Sequence, residues 1–586
     1  MKLLSTLLAS GVASSAVAAV VERWWNITYG QANPDGLFER RVITVNGTWP
    51  PPPIEVNQGD TSVLHVTNGL GDVVTAIHHH GMFLRGHSYM DGAVGVAQCP
   101  IPPGDTFDYT ISTDVQIGTY WVHGHALGQY VDGLRAPFII HNSNETYKYD
   151  AEFTIIIGDW YHDQHPVLLN QFLNIANPTG AEPVPDSGLI YFTQNGQYLP
   201  GFNENATLPF VPGKTYRLRV INTSALSMFW FWIDGHQLRI IEADGVDTQE
   251  TPVDIQSISV AQRYSFLVTA RNDTTSNWLI HANMDPAMFD SVPDSLNLNL
   301  TSSITYTTSA PMQEGPASVD YTNTVDDYAL VPVLAQPIGT ANQTVTLNAF
   351  FDTYSDGQNH ASFENITFNT PLVPSFLSAT SSGSTDPAYY GPSASVLNYN
   401  QVIELLVVNW DVGLHPFHLH GHKFAIVWKS FDVTSPDTSI NPPVPEYASN
   451  PMWRDTIMIP PGGGVRLRFL ADNPGTWFFH CHIDWHLSSG LAWVLVEAPT
   501  VLASSETYRA PSMIYSQCAQ QNIPTSGNAA GHNDSASNYS GWKLGPYPQQ
   551  LGWHSKGIGA MTGCVLSAVL GMAAVVWYGA TGISEI

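Results

Sequence analysis

Three stretches of this chain alternate apolar and polar residues in the same way. Gly59 to Asn68, Gly213 to Asn222 and Asn400 to Asn409 each read as a half-buried strand. Each closes on Val-x-Asn: Val66-Thr67-Asn68, Val220-Ile221-Asn222 and Val407-Val408-Asn409. Beyond each copy the chain reaches an equivalent place, occupied by His78-His79-His80, Met228-Phe229-Trp230 and His415 to His420. A second repeat is closer still. Gly118-Thr119-Tyr120-Trp121-Val122-His123-Gly124-His125 matches Gly475-Thr476-Trp477-Phe478-Phe479-His480-Cys481-His482. Copies set this far apart are whole domains rather than turns of a solenoid. The pattern predicts an all-β chain of three related β-sandwiches, at 19–145, 146–310 and 341–500. A looser connector, rich in Ser, Thr, Asp and Gly, covers 311–340.

The two ends break this pattern. Leu3-Leu4-Ser5-Thr6-Leu7-Leu8-Ala9, followed by small residues ending Ala16-Val17-Ala18, reads as a cleaved secretory signal over 1–18. Residues 501–555 read as a coil whose polar Gly/Ser/Asn-rich end forms a stalk. Ile558 to Tyr578 carries no charge, and Lys556 and Glu585 bracket it. About 20 residues rising about 1.5 Å each cross a bilayer core, so 558–578 is expected to span a membrane, with a lipid-anchor signal as the alternative. Gly559 and Gly563 in that segment would let a partner helix approach closely. Sequons at Asn26, Asn46, Asn144, Asn205, Asn222, Asn272, Asn299, Asn342, Asn365, Asn533 and Asn538 agree with export and glycosylation.

Composition narrows the function. The 586 residues carry a formal charge of −28, which argues against nucleic acid as a partner. Charged residues make up only 12%, and 47 Gly with 41 Pro suit turn-rich β structure.

The chemistry gathers at His480-Cys481-His482-Ile483-Asp484-Trp485-His486. A thiolate with imidazole neighbours suits an electron-transfer copper. On a strand, neighbouring side chains point to opposite faces, so Cys481 can face one metal while His480 and His482 face another. Three more pairs support it: His78 and His80, His123 and His125, and His418 and His420, with His415 just before the last. Four pairs make eight imidazoles, beside a separate set of His415, Cys481 and His486.

This layout resembles the multicopper oxidases, which carry these four motifs in this order. The resemblance covers nearly the whole chain after the leader. It implies three cupredoxin-like Greek-key domains and four copper ions per chain. By position, it assigns His415, Cys481 and His486 to a type 1 copper, with Leu491 at the axial position and unable to coordinate. It assigns His78 and His418 to the type 2 copper. His80, His123, His125, His420, His480 and His482 go to the type 3 pair. His79 and His422 are left without copper and are expected to pack or to support the ligands from behind. Asp91 and Asp484 are implied as the acids beside the cluster, although many relatives have glutamate where Asp484 stands. Of the four cysteines, Cys99 and Cys518 are free to pair in an oxidising compartment, and the resemblance supports that bridge.

Within the family the chain looks most like the fungal cell-surface ferroxidases of high-affinity iron uptake. The C-terminal segment Lys556-Gly557-Ile558-Gly559-Ala560-Met561-Thr562 is similar to the start of their membrane helix. The resemblance places a substrate-iron site at Glu182, Asp290 and Asp411, with Asp285 a neighbour. Where members of that subgroup can have a tyrosine, this chain has Asn359-His360-Ala361-Ser362. The implied activity is oxidation of Fe²⁺ with reduction of O₂ to water, at a cell membrane, single-pass type I, with the catalytic domains extracellular. The implied partner is an iron permease that takes up the ferric product. A laccase-type phenol oxidase is the alternative.

Overall fold

The computed structural model describes residues 18–313, 315, 319–322, 324–442, 449–548 and 555–581. All of the expected leader but Ala18 lies outside them, as do 549–554 of the expected stalk. The chain divides into a body, Met1–Pro546, and a C-terminal unit, Tyr547–Ile586.

The body is built from three pairs of β-sheets. The first pair is two four-stranded sheets formed within Val20–His141. The second is a seven-stranded and a five-stranded sheet within Ala151–Thr305. The third is a six-stranded and a five-stranded sheet within Gln343–Glu497. The repeated strands take the same station in each pair. Thr61–Asn68, Thr215–Asn222 and Val402–Asn409 each run parallel to the opening strand of their own unit. Each is also antiparallel to a later one.

The Val-x-Asn endings have a structural reason. Asn68, Asn222 and Asn409 are all fully buried. Asn68 Nδ2 donates to the carbonyls of Val73 and Ile101 at 2.9 Å each. Asn222 Nδ2 does the same to Ser227 and Ile258 at 2.9 Å each. Asn409 Nδ2 donates to Gly413 at 2.8 Å and Ile459 at 3.3 Å. Each amide thus pins the loop that follows it, and the strand across from it, to the strand end. Buried backbone carbonyls need such partners. The Asn222 sequon is therefore closed to a sugar, whereas Asn46, Asn144 and Asn365 stand exposed.

Only Thr61–Asn68 keeps the alternation of a half-buried strand. Thr215–Asn222 and Val402–Asn409 are buried at nearly every position. On the first of these, the polar positions form an ionic interface rather than facing water. Arg217 pairs with Glu242 at 2.7 Å, and Arg219 pairs with Glu152 at 2.9 Å. Arg219 also donates to Thr119 Oγ1 of the first unit at 3.0 Å.

Two linking segments make contacts of their own with the β-sheet pairs. The described part of the connector is tied down: Gln256 donates to Val325 O at 3.0 Å, and Lys429 pairs with Asp326 at 2.8 Å. The segment after residue 500 is likewise no free coil as far as Pro546. Its helix Ser512–Gln520 is bridged to the first unit by the Cys99–Cys518 disulfide. Gln517 Nε2 adds a hydrogen bond to Thr106 O at 2.8 Å. Farther on, buried Asn528 donates to the carbonyls of Ser535, Ala536 and Asn538 and folds the polar stretch into a compact loop.

In the C-terminal unit, Ser555–Thr581 forms one continuous helix. Its stretch Gly557–Thr581, with a mean hydropathy of 2.0, is long and apolar enough to cross a membrane.

Candidate metal centre

The strand Gly475–Cys481 organises the site. It lies between His415–Leu419 and Ala492–Glu497, so that His418 opposes His480 and Phe417 opposes Cys481. In the first unit, Ile77–His80 pairs with Gly118–Gly124 and places His78 opposite His123. The four histidine pairs therefore come from two like-built antiparallel strand pairs, one in the first unit and one in the third.

On one face of Gly475–Cys481, three side chains converge. Cys481 Sγ lies 3.4 Å from His486 Nδ1 and 3.7 Å from His415 Nδ1, and the two imidazole nitrogens are 2.9 Å apart. All three residues are buried. Burial alone would raise the thiol, but His486 and His415 outweigh it and bring Cys481 down to about 7. Leu491 is fully buried against this group, its backbone bonded to Cys481 and to His486.

On the other side, the eight imidazoles pack against one another. His78 stacks on His420 at 3.9 Å between centroids and His80 on His418 at 3.7 Å. His125 and His480 approach at 5.5 Å, and His123 and His482 at 5.3 Å. Burial and mutual repulsion hold His80, His123, His418, His420 and His480 well below the usual imidazole range. The same causes bring His125 to about 3. Neutral imidazoles are what a metal requires.

The outer nitrogens of the cluster are held by oxygens. His420 Nδ1 donates to Asp91 Oδ2 at 2.7 Å, and His78 Nδ1 donates to Asp91 O at 2.7 Å. His418 Nδ1 donates to Asp455 O at 2.8 Å. Asp455 itself is fixed by Arg263 Nη2 at 2.6 Å. Its position in Arg454-Asp455-Thr456 gave no sequence signal, because no histidine lies near it along the chain.

The remaining nitrogens test whether metal fits. His78 Nε2, His80 Nδ1, His123 Nε2, His418 Nε2 and both ring nitrogens of His482 are buried without a hydrogen-bond partner. Leaving a buried polar atom unsatisfied costs about 1–3 kcal/mol, so six in one place would be a heavy penalty for a metal-free core. A thiolate with two imidazoles, beside a cluster of imidazoles alone, is the donor chemistry of copper.

The two extra histidines turn elsewhere. His79 packs on Tyr109 and Phe138. His422 lies 3.0 Å from Glu497 Oε2.

Carboxylates join the cysteine site to the surface. His486 Nε2 donates to Glu182 Oε1 at 2.8 Å, and His415 Nε2 donates to Asp411 Oδ2 at 3.0 Å. Burial would raise the Asp411 carboxyl, but His415 outweighs it and holds it at about 2. Asp290 lines the same small cavity, of about 140 Å³, as Glu182, Asp411 and His486. Burial and the two neighbouring carboxylates push Asp290 up. Asp285 is occupied elsewhere: its carboxylate accepts from Ala287 N and caps the short turn Pro286–Met288. His360 faces Asp356 at 2.9 Å, whereas its neighbour Asn359 lines the cavity.

Three family models, each described as multicopper oxidase, match residues 26–145, 151–309 and 364–501. The chain belongs to the multicopper oxidase family. Copper is its cofactor. Among curated proteins, it is 51% identical to the "Iron multicopper oxidase fer1" of Mycosarcoma maydis, over 98% of this chain and 95% of that one. It is 37% identical to the "Iron transport multicopper oxidase FET3" of Saccharomyces cerevisiae, over 95% of this chain and 87% of that one. Among solved structures, Fet3p, "a Multicopper Oxidase that Functions in Iron Import", superposes with a TM-score of 0.83 at 36% identity. That match covers 91% of this chain and all of the other. A laccase from Botrytis aclada superposes with a TM-score of 0.73 at 30% identity, covering 86% of this chain and 92% of that one.

Proposed function

We propose that this multicopper oxidase is a membrane-tethered ferroxidase. Four Fe²⁺, one O₂ and four protons give four Fe³⁺ and two waters. The observation that carries this reading is the cavity at Glu182, Asp290 and Asp411, where two acids are bonded directly to His486 and His415. Ferrous ion prefers oxygen donors, and carboxylates stabilise the ferric product more than the ferrous substrate. They therefore favour release of the electron. The relatives named for iron transport agree with this choice.

In this reading His415, Cys481 and His486 would hold the type 1 copper, with Leu491 beside it as a non-ligand. His78 and His418 would hold the type 2 copper, and His80, His123, His125, His420, His480 and His482 the type 3 pair. Copper bound there supplies one-electron redox at the thiolate site and four-electron reduction of dioxygen at the histidine cluster. The protein's own contribution is positioning. Glu182 and Asp411 join the substrate cavity to the cysteine site through one hydrogen bond each. His480 and His482 flank Cys481, so the path from thiolate to cluster runs through adjacent residues. Asp91 orients His78 and His420, and Asp484 stands at the cavity leading to the cluster.

A laccase-type phenol oxidase is the second reading, favoured by the structural likeness to the Botrytis aclada enzyme. A cavity of about 140 Å³ is small beside the roughly 300–1,000 Å³ that organic ligands of drug size occupy.

The helix Ser555–Thr581 would tether the enzyme as a single-pass type I protein, with its catalytic domains outside the cell. An iron permease is the expected partner, because ferric ion hydrolyses unless it is taken up at once. A chain truncated before Lys556 tests both claims. It should be soluble, load copper fully and oxidise ferrous ion with at least tenfold higher kcat/KM than a phenol. Cells making only that form should fail at iron uptake. A higher kcat/KM on the phenol would favour the laccase reading, and normal uptake would argue against coupling to a permease.

A further inference from the structure

Asp484 lines a second cavity, of about 390 Å³, that reaches His123, His125, His480 and His482. Its side chain is short, so a fixed partner must set its place. The partner comes from a distant part of the chain. His165 Nε2 donates to Asp484 Oδ2 at 2.6 Å, across a separation of 319 residues. Both side chains are nearly closed to solvent, at 3% and 4% exposure.

His165 is itself fixed on several sides. Its ring stacks on Trp485, with 5.4 Å between centroids and 7° between planes. The backbone of Gly128 passes close by. A Cβ there would stand 2.2 Å from His165 Nε2, and Gly128 also has a positive φ of 62°. The His165 N–H donates to Asp132 Oδ1 at 3.0 Å, and Asp132 is ion-paired to Arg40. The first unit thus supplies the floor, the second the imidazole and the third the carboxylate. Among the described residues, the other side-chain donor near that oxygen, Ser488 Oγ, lies at 3.5 Å, too far to hold it firmly.

We infer that His165 is a positioning residue for oxygen reduction: it holds the Asp484 carboxylate at the wall of the cavity that leads to the histidine cluster. His165 acts only through Asp484, so the inference rests on the reading of Asp484 as the acid serving that cluster. It also explains how an aspartate serves there. A charge-assisted hydrogen bond at a rigid imidazole replaces the reach of a longer side chain.

The test uses the full copper-loaded protein, reduced without oxygen and then mixed with O₂. Any donor can serve for the reduction, so failure of the ferroxidase reading would leave the result standing. His165→Leu, which removes the donor at similar volume, should slow reoxidation by about tenfold or more, the usual cost of a lost charge-assisted bond. The preceding reduction step should be unchanged. His165→Gln keeps an N–H donor and should return reoxidation to within about threefold of the parent chain. A crystal structure of His165→Leu should show the Asp484 carboxylate turned away from its place while the cluster histidines stay put. The inference is overturned if His165→Leu reoxidises at the parent rate. It is equally overturned if the Leu and Gln variants fail alike, or if Asp484 does not move.

Discussion

His480 and Cys481 end one strand and His482 follows it directly, yet the cysteine and the two histidines look into two different environments. On the Cys481 side, three donors meet a pair of carboxylates that lead outward to a small cavity at the surface. Each imidazole there has its far nitrogen tied to an acid, Glu182 for His486 and Asp411 for His415. On the other side, eight imidazoles crowd together, and the acids near them, Asp91 and Asp455, are buried. The first arrangement, in the proposed function, would let a cation approach from outside and give up an electron. The second has its acids buried and keeps its imidazoles neutral for metal. Period-two geometry of one strand is enough to set the two sites apart, which in the proposed function would separate entry of electrons from their use.

Variants on the two faces should therefore fail in different ways. The largest effect is expected at the shared residue. Cys481→Ser should abolish the blue absorbance and turnover while leaving the histidine cluster loaded, because an oxygen donor cannot replace the soft thiolate. Absorption spectra and copper counts check this, and retained blue colour would refute the assignment. Asp91→Ala should act on the inner face alone. Losing the carboxylate that orients His420 should slow reoxidation by O₂ about 10- to 100-fold, with anaerobic reduction unchanged. Rapid mixing separates the two steps. Equal slowing of both would erase the distinction between the faces. Leu491→Met should give the smallest change. A weak axial thioether should lower the potential of the cysteine site by tens of millivolts, where about 59 mV is tenfold for a one-electron couple. An unchanged or higher potential in a redox titration would mean that Leu491 does not face the metal.

Much of this architecture could be read from the chain. The repeated alternation that ends at Asn68, Asn222 and Asn409 marked three sheets of common design, and the His-x-His pairs marked the two units that bind metal. Met228-Phe229-Trp230 showed that the middle unit keeps the strand and not the ligands. Other features were hidden because they depend on distance along the chain. The contact of His165 with Asp484 spans 319 residues, and nothing local to either signals it. Burial misled in the same way: Asn222 spells a sequon but serves as a clamp, and Arg217 and Arg219 spell a wet face but build an interface. Asp285 sits near Asp290 in sequence, yet its carboxylate is spent on the turn that follows it. The polar tail to Pro546 has the composition of a flexible spacer, and Asn528 nonetheless gives it enough backbone partners to fold.

In the proposed function, the acids of the small cavity, and not the copper sites themselves, make this multicopper oxidase select iron. The most direct measurement is kcat/KM for ferrous ion and for a bulky organic donor in Glu182→Ala, Asp290→Ala and Asp411→Ala, singly and combined, after full copper loading is confirmed. Each single change should lower ferrous oxidation by about 10- to 100-fold, the worth of one lost charge-assisted contact. The combined loss should be smaller than the product of the singles, since the acids share one ion. The organic donor should be unaffected or faster, because removing the acids opens the approach to His486. Equal losses for the two donors would contradict the account: the acids would then support the cysteine site in general, and a phenol oxidase would be the better reading.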